Sequence, residues 1–402
     1  MKIAVVGFGI VGSGVAVVLR DNAAAIEARC GQPVELGYIV DLRAPAEEWQ
    51  PYWTKNFEDA IADPAVGAVV EAIGGVHPAY DFTKRALEAG RHVVTSNKQL
   101  VSECGAELLR IAREHGVSYL FEASVGGGIP LIGPLARNLG TETITDLWGI
   151  LNGTTNFIMA CMNDQGMTFA DALALAQKNG YAEADPTADI EGIDACRKTS
   201  ILASMLAKKT VAPDKIATEG VSRLDSGDVA AAAAVGCEIK LICRVHREGE
   251  AVCASVAPML VPLKNPLASV DGVNNAVLVR GVHLGDAMFY GRGAGSLPTA
   301  NAIVSDIVEA VESGRHMPYF SWSDEPAETL DADTEPCVWM LRCAREDIES
   351  VSEIFGASTA ARVEDEAVLF TMRLSHERLR ALGAEAANHG FVVRSAVRVA
   401  EF

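Results

Sequence analysis

Five acidic side chains and one lysine crowd the run Gly180 to Lys198, which reads GYAEADPTADIEGIDACRK. Glu183, Asp185, Asp189, Glu191 and Asp194 precede Lys198. A loop carrying Gly180 and Pro186 leads into a predicted helix from about Asp189, on which Asp194 and Lys198, four apart, share a face. That spacing most often marks a solvated ion pair worth roughly half a kcal/mol or less. Here the rest of the helix is apolar (Ile190, Ile193, Ala195, Ile201, Leu202, Met205, Leu206), so little polar surface is left for a solvated side. A lysine on a mostly buried helix needs carboxylates around it, and such a set tunes a group for proton transfer. Cys196 faces away from Asp194 and Lys198 on the same helix, which favours core packing over nucleophilic attack.

A second chemistry is written at the N-terminus. Lys2 to Gly14, KIAVVGFGIVGSG, sets Gly7, Gly9 and Gly12 directly after a short apolar run, with an amphipathic run behind them. Glycines in that pattern allow a tight turn and let the backbone approach a pyrophosphate at a helix N-terminus. A bare glycine-rich turn would look similar. The context argues for a dinucleotide, because the next strand, VELGYIV, ends in Asp41. A carboxylate there accepts hydrogen bonds from the adenosine ribose and repels a 2′-phosphate, whereas Arg43 would attract one. The balance favours NAD with tolerance of NADP.

Four further stretches are informative. Ser96-Asn97-Lys98 follows a strand end, where a lysine is as readily a surface residue as a functional one. Glu122 to Pro130, EASVGGGIP, is either a flexible connection or a set of converging carbonyls and a carboxylate suited to a hard cation. Leu151 to Ile158, LNGTTNFI, places two threonines at a strand-to-helix turn, where hydroxyls cap helices. GRGAG at Gly291 to Gly295 repeats the glycine turn before a helix. His77, His92 and His283 have no ligand-like spacing and read as structural.

These motifs together resemble the homoserine dehydrogenase family. Ala176, Gly180, Asp185, Pro186, Asp189, Gly192, Asp194 and Lys198 fall in register with its signature, and the NGTT run and the glycine loops follow its order. The resemblance covers roughly Met1 to Asp306. It implies reversible NAD(P)-dependent hydride transfer between L-homoserine and L-aspartate 4-semialdehyde. It implies that Lys198 and Lys98 are catalytic, Lys98 reaching between nicotinamide and substrate hydroxyl. Glu183, Asp194, Asp189 and Thr154 would serve the substrate, with Glu183 and Asp194 as candidates for its ammonium. For alcohol oxidation Lys198 must be neutral, which desolvation and Lys98 favour and Asp189 and Asp194 oppose. The cofactor would touch Gly7, Gly9, Ile10, Val11, Gly12, Asp41, Arg43, Ile73, Gly74, Asn97, Lys98, Gly180, Gly291 and Gly293. A structural monovalent cation, sodium in relatives, would be held by Glu122 and the carbonyls of Val125, Gly127 and Ile129. Relatives pair through the second domain's sheet, so a homodimer, or a homotetramer through the tail, is implied.

The elements that must position these residues follow from the pattern. Strand-like and helix-like segments alternate over 1–130, which predicts an α/β doubly wound parallel sheet, a Rossmann domain with its ligand beyond the carboxyl ends of the strands. Residues 131–297 mix helices with period-2 runs such as EIKLICRVHR, predicting an α+β substrate and dimerisation domain on a mixed sheet. The segment 298–312 reads as a helix packing back on the first domain. Residues 321–336, SWSDEPAETLDADTEP, hold six acids, no base and two prolines, and read as a linker. From 337 to 402 the order is βαββαβ, which resembles an ACT regulatory domain, although Ala344-Arg345-Glu346-Asp347 stands where a glycine-containing turn is usual.

Bulk properties narrow the rest. The chain has 402 residues, enough for two or three domains. A net charge of −19 argues against nucleic acid and anionic membrane as partners. No apolar window reaches a membrane span, and Met1-Lys2 runs straight into a strand with no signal-like segment, so a cytoplasmic protein is expected. Nine cysteines lie scattered without CxxC pairs, which suggests no zinc site. Two rivals to the family reading are weaker. An acyl-forming semialdehyde dehydrogenase needs a cysteine in a glycine loop, and none is there. A non-catalytic sensor would be expected to lose Lys98, Lys198 or Glu183, and all three are present.

Overall fold

The computed structural model describes residues 1–313 and 322–402. The chain folds as two units, 1–144 with 200–213 and 281–328, and 145–199 with 214–280 and 329–402.

The first unit is built on six parallel strands, β1 (Lys2–Val6), β2 (Glu35–Val40), β3 (Trp53–Thr54), β4 (Val66–Glu71), β5 (His92–Thr95) and β6 (Tyr119–Leu120). Their order in the sheet is β3-β2-β1-β4-β5-β6. Ile3, Ala4, Val5 and Val6 are all buried, as expected for a parallel strand covered on both faces. The order reverses between β1 and β4, which opens a crevice at the carboxyl ends of those two strands. Gly7 leaves β1 at φ +93°, and a Cβ on Gly12 would meet the Gly7 carbonyl oxygen at 2.1 Å, so both must be glycine for the turn to close on the Ile10–Asp21 helix. The Ser296–Ser313 helix shares the core of this sheet, with Ala300, Ile303 and Ile307 clustered with Ile3, Val5 and Val15.

The second unit centres on β7 (Ile144–Ile150), a long antiparallel hairpin of Cys237–Glu248 and Ala251–Pro262, and the strand Asn274–Gly281. The fold is therefore α/β with one parallel Rossmann-like sheet and one mixed sheet. The βαββαβ order beyond residue 337 is present, with strands Trp339–Ala344, Ser358–Val363, Glu366–Phe370 and Val393–Val399 and helices Ile348–Phe355 and His376–Asn388. Each neighbouring pair of these strands is antiparallel, and the helices pack Val351, Phe355 and Leu379 against Leu341 and Leu369 of the strands.

Two features differ from the sequence reading. The stretch read as a linker carries two short strands, Ser323–Pro326 and Thr329–Leu330, the second pairing with Ala251–Pro262. Its first residue, Ser321, lies outside the described residues. The C-terminal strands also do not form a separate sheet. Met259 and Leu260 pair in parallel with Arg398 and Val399, which makes one continuous sheet. Arg342 reinforces that union, donating to Asp225 and Asp228 at 2.6 Å each and to Glu366 at 2.8 Å from a buried position.

That ion network generates a stability prediction. Arg342→Met leaves Asp228 buried without its cation, and breaking a buried pair in this way costs about 3 kcal/mol or more. The Glu366 carboxyl lies below its ordinary value, chiefly because it accepts from Arg342. A lowered folded-state value stabilises the fold above the unfolded pKa, and that stability is lost as pH falls through the folded one. Urea unfolding at pH 7 should show the loss in Arg342→Met, and the variant's stability should fall less between pH 6 and pH 3 than the wild type's. Equal urea midpoints at pH 7 would remove the network from the account.

Candidate functional site

In the second unit the acidic motif forms a buried cluster rather than a solvated face. Lys198 is 8% exposed and Asp194 6%. The Lys198 ammonium donates to Asp194 Oδ2 at 2.7 Å and to the Leu151 carbonyl at 2.7 Å. The single helix expected from Asp189 is two, Thr187–Ile190 and Ile193–Ala207. Between them Gly192 takes φ +76°, a left-handed conformation that ends the first helix and turns the chain into the second. Asp189 and Asp194 thus leave different helices, and Asn152 bridges them. Its amide donates to Asp189 Oδ1 at 2.7 Å and Asp194 Oδ2 at 2.9 Å. Its own carbonyl oxygen accepts from the Thr155 amide, capping the Gly153–Gln165 helix. Burial pushes the Asp189 carboxyl up; the Asn152 bond and Lys198 oppose that rise, while the Asp194 charge adds to it.

Other members of the expected set are placed less centrally. The Thr154 hydroxyl donates to the Tyr181 carbonyl at 2.7 Å from a buried position, next to the Asp189 carboxyl. Glu183 is exposed, and its backbone carbonyl accepts from the Gln177 side chain at 3.1 Å. Gly180 closes the Phe169–Lys178 helix at φ +75° and belongs to the same unit as Lys198. The Cys196 thiol is buried and pushed up by burial, consistent with packing and not with a nucleophile.

In the first unit a cavity of about 520 Å³ lies over the ends of β1, β2 and β4, lined by Gly7, Gly9, Asp41, Arg43, Lys55 and Ile73 among others. Asp41 accepts from the Phe8 amide at 2.8 Å and the Arg43 amide at 2.9 Å. Burial pushes its carboxyl up, but those amides outweigh burial and hold it below the ordinary value. The Arg43 side chain is largely exposed. Ile10 and Ile73 are exposed apolar residues flanking the glycine turn and the 72–75 loop, Gly74 lies in that loop at φ +87°, and Val11 is half-buried on the first turn of the Ile10–Asp21 helix.

The Lys98 loop is braced from beneath. Buried Glu71, at the end of β4, accepts from the Ile73 amide at 2.8 Å and the Thr95 hydroxyl at 2.6 Å. Thr95 in turn accepts from the Asn97 amide, and the Asn97 side chain donates to the Gly75 carbonyl at 2.6 Å. Asn97 caps the Lys98–Glu114 helix, whose first residue is Lys98. One hydrogen-bonded run therefore ties the 72–75 loop to Lys98.

In the Glu122 loop the carboxylate is engaged by backbone amides. Glu122 Oε1 accepts from the amides of Leu131 and Ile132 at 2.6 and 2.7 Å, and Oε2 from Gly133 at 2.7 Å, so the carboxylate is committed to the start of the Ile132–Arg137 helix. Among the described residues no cluster of His, Cys, Asp or Glu is arranged for a metal. The backbone of Glu122, Val125, Gly127 and Ile129 remains the candidate donor set. The Gly128 amide donates to the Arg292 carbonyl, and Gly127 lies against Gly293, which brings this loop to the Gly291 to Gly295 turn.

Asn152, Glu71 and Lys55 were not singled out from the sequence. Asn152 had a signal, since asparagine before Gly-Thr-Thr is a helix cap whose second amide face is free to bridge. Glu71 reads as part of an apolar strand, and Lys55 follows a strand of two residues, too short to be legible.

Residues 7–122 match the family described as homoserine dehydrogenase, NAD binding domain, and residues 130–308 match homoserine dehydrogenase. A homoserine dehydrogenase of Synechocystis sp. is 41% identical over 321 residues, which is 77% of this chain and 73% of the relative. The crystal structure of a homoserine dehydrogenase from Thiobacillus denitrificans is similar with a TM-score of 0.91 at 34% identity, covering 100% of this chain and 98% of that one. A hyperthermophilic archaeal homoserine dehydrogenase mutant in complex with NADPH has a TM-score of 0.67 at 27% identity, covering 78% and 98%.

The bridge predicts a measurable titration. Asn152→Leu removes the amide that opposes the rise of the Asp189 carboxyl, so Asp189 should titrate higher than in the wild type. Carboxyl carbon shifts followed against pH in selectively labelled protein would report it. An unchanged or lower Asp189 midpoint would show that Asn152 does not tune this pair.

Proposed function

The chain belongs to the homoserine dehydrogenase family, and from that premise we propose that Lys198, with Asp194, Asp189 and Asn152 around it, carries the proton side of its reaction. The protein is an NAD(P)-dependent oxidoreductase of amino-acid biosynthesis that interconverts L-homoserine and L-aspartate 4-semialdehyde. The observation that carries the proposed assignment is the burial of Lys198 with two hydrogen bonds donated, to Asp194 and Leu151, which hold its Nζ in one position. A nicotinamide dinucleotide held over Gly7, Gly9 and Asp41 would supply the hydride acceptor for oxidation at the carbinol carbon. As the neutral amine Lys198 accepts the hydroxyl proton in that direction, and as the ammonium it returns that proton to the carbonyl oxygen in the other. Asp194 and Leu151 hold its Nζ in place, and Asp189 and Thr154 face the substrate's polar groups. Lys98, at the start of its braced helix, supplies a second cation for the substrate oxygen.

Glu183 keeps a proposed role as a partner for the substrate ammonium, supported by its exposed position on the same motif. Gly7, Gly9, Ile10, Val11, Gly12, Ile73, Gly74 and Asn97 fit the dinucleotide, and Gly180, Gly291 and Gly293 remain proposed contacts. Asp41 supports a preference for NAD through the ribose hydroxyls. Arg43 and Lys55, lining the same cavity, offer two cations to a 2′-phosphate, which supports tolerance of NADP. The carbonyls of Glu122, Val125, Gly127 and Ile129 fit a monovalent cation such as sodium, because neutral oxygens add no charge beyond the ion's own. The βαββαβ segment resembles an ACT regulatory domain, and a homodimer or homotetramer is the proposed assembly.

Purified protein with L-homoserine should raise the reduced-nicotinamide absorbance with either cofactor, with a higher kcat/KM for NAD. Lys55→Ala should lower kcat/KM for NADP more than for NAD; a wild-type preference for NADP would overturn the proposed selectivity. Lys198→Met should lower kcat by about 10²- to 10⁴-fold, the usual weight of general acid–base catalysis, with nucleotide binding retained. Near-normal turnover with unchanged pH dependence would overturn the assignment of Lys198.

A further inference from the structure

Glu71 ends β4 with a side chain that is 1% exposed, after a run of buried apolar residues. Its backbone pairs with Val6 of β1 on one side and with Thr95 of β5 on the other, where the strand order reverses. An apolar side chain would complete that core without drying a charge, so the sheet itself gives no reason for a carboxylate.

The groups that the carboxylate touches lie where the strands give way to loops. Oε1 accepts from the Ile73 amide at 2.8 Å and more weakly from the Gly74 amide at 3.4 Å. Oε2 accepts from the Thr95 hydroxyl at 2.6 Å, and Thr95 accepts from the Asn97 amide at 2.9 Å. On the Oε1 side stands the glycine turn. A Cβ on Gly7 would meet the Ala72 carbonyl oxygen at 2.7 Å and the Ile73 nitrogen at 3.0 Å, so the peptide that Glu71 pins is the one against which that turn packs. On the Oε2 side stands the Lys98 helix. Asn97 accepts from the Leu100 amide at 3.1 Å and donates to the Gly75 carbonyl at 2.6 Å, which returns the run to the loop where it began.

Both sides need an acceptor, and a carboxylate offers one to each. A glutamine has one acceptor oxygen and one NH2 group, so it serves the Ile73 amide or the Thr95 hydroxyl proton, not both. We propose that Glu71 is a positioning residue of the reaction, which makes the Ile73–Gly74 loop and the start of the Lys98 helix one body. Lys98 then stands at a fixed offset from the glycine turn. The inference rests on the reading that Lys98 acts on the substrate oxygen and that the glycine turn holds the dinucleotide. One buried side chain thereby aligns the cation with the hydride acceptor.

The test compares Thr95→Val, Thr95→Ser and Glu71→Gln, each alone and combined with Lys98→Ala. Turnover of L-homoserine with NAD is read beside the calorimetric dissociation constant for the dinucleotide. Thr95→Val cuts the link to Asn97 and keeps the bond from Glu71 to Ile73. It should leave dinucleotide affinity unchanged and lower kcat about ten-fold or more, since a misplacement of about 1 Å can cost up to 10²-fold. Thr95→Ser restores the hydroxyl and should recover most of that loss. In the Lys98→Ala background Thr95→Val should lower kcat no further, because the residue it positions is gone. Glu71→Gln should show the same dependence on Lys98, and it decides the matter if Thr95→Val does not fold. Near-normal turnover in Lys98→Ala would overturn the reading of Lys98 and this inference with it. With Lys98→Ala impaired, an unchanged kcat in Thr95→Val and Glu71→Gln, or the same loss in both backgrounds, would overturn the role of Glu71 alone.

Discussion

A lysine with 8% of its surface exposed governs the second unit. Removing one partner of a buried ion pair costs about 3–5 kcal/mol, so Lys198 constrains everything around it. Asp194 must lie one helical turn away, and the Leu151 carbonyl must point inward at the end of β7. The same Asp194 oxygen, Oδ2, accepts a second hydrogen bond from the Asn152 amide. Asn152 is the residue after Leu151, so the strand end that binds the lysine also binds its counter-ion. The break at Gly192 follows from the same demand. A continuous helix would carry Asp189 and Asp194 at i and i+5, on diverging faces, and no single amide could bridge them.

The first unit meets a comparable problem with a different device. Its site is a set of loops at strand ends, and loops are the least constrained part of a sheet. Glu71 removes that freedom from beneath. A carboxylate withdrawn from water requires hydrogen-bond donors, and it takes them from Ile73 on the loop after β4 and from Thr95 at the end of β5. Through Thr95 and Asn97 the constraint reaches the first turn of the Lys98 helix. Asp306 and Glu122 show the same logic. The Glu122 amide donates to Asp306, and burial, with the Glu122 charge second, pushes the Asp306 carboxyl well up. That neutral tendency lets two acids sit side by side in a core.

The local chemistry was legible wherever a residue type serves one purpose. Gly7 and Gly12 mark a backbone approach that any Cβ would block, and Asp194 with Lys198 marks a helical pair. Alternation of strands and helices was enough for the parallel sheet, because a strand buried on both faces must be continuously apolar. What stayed hidden depends on partners far along the chain. Glu122 looks like an oxygen ligand beside three glycines, yet its carboxylate caps a helix nine to eleven residues later. The acidic run 321–336 has the composition of a linker, but Thr329 and Leu330 pair with Val252 and Cys253. Composition reports the solvent preference of side chains, whereas strand pairing uses only the backbone.

The continuity of the C-terminal strands with the hairpin alters how that region acts. Two parallel backbone pairs alone make a weak joint, since a strand contact of that length is marginal in water. Arg342 and Arg398 turn it into a firm one, because each is buried and each takes carboxylates from the other side of the joint or from the segment leading into it. Arg342 reaches Asp225 and Asp228, and Arg398 reaches Asp333. Parting the strands at this joint would leave buried Asp228 without its cation. The C-terminal region is therefore not a tethered appendage whose motions are free of the Lys198 cluster. Any change in the seam works directly on Ala251–Pro262 and, through the hairpin, on Cys237–Glu248 and β7, the strand that delivers Leu151 and Asn152 to Lys198.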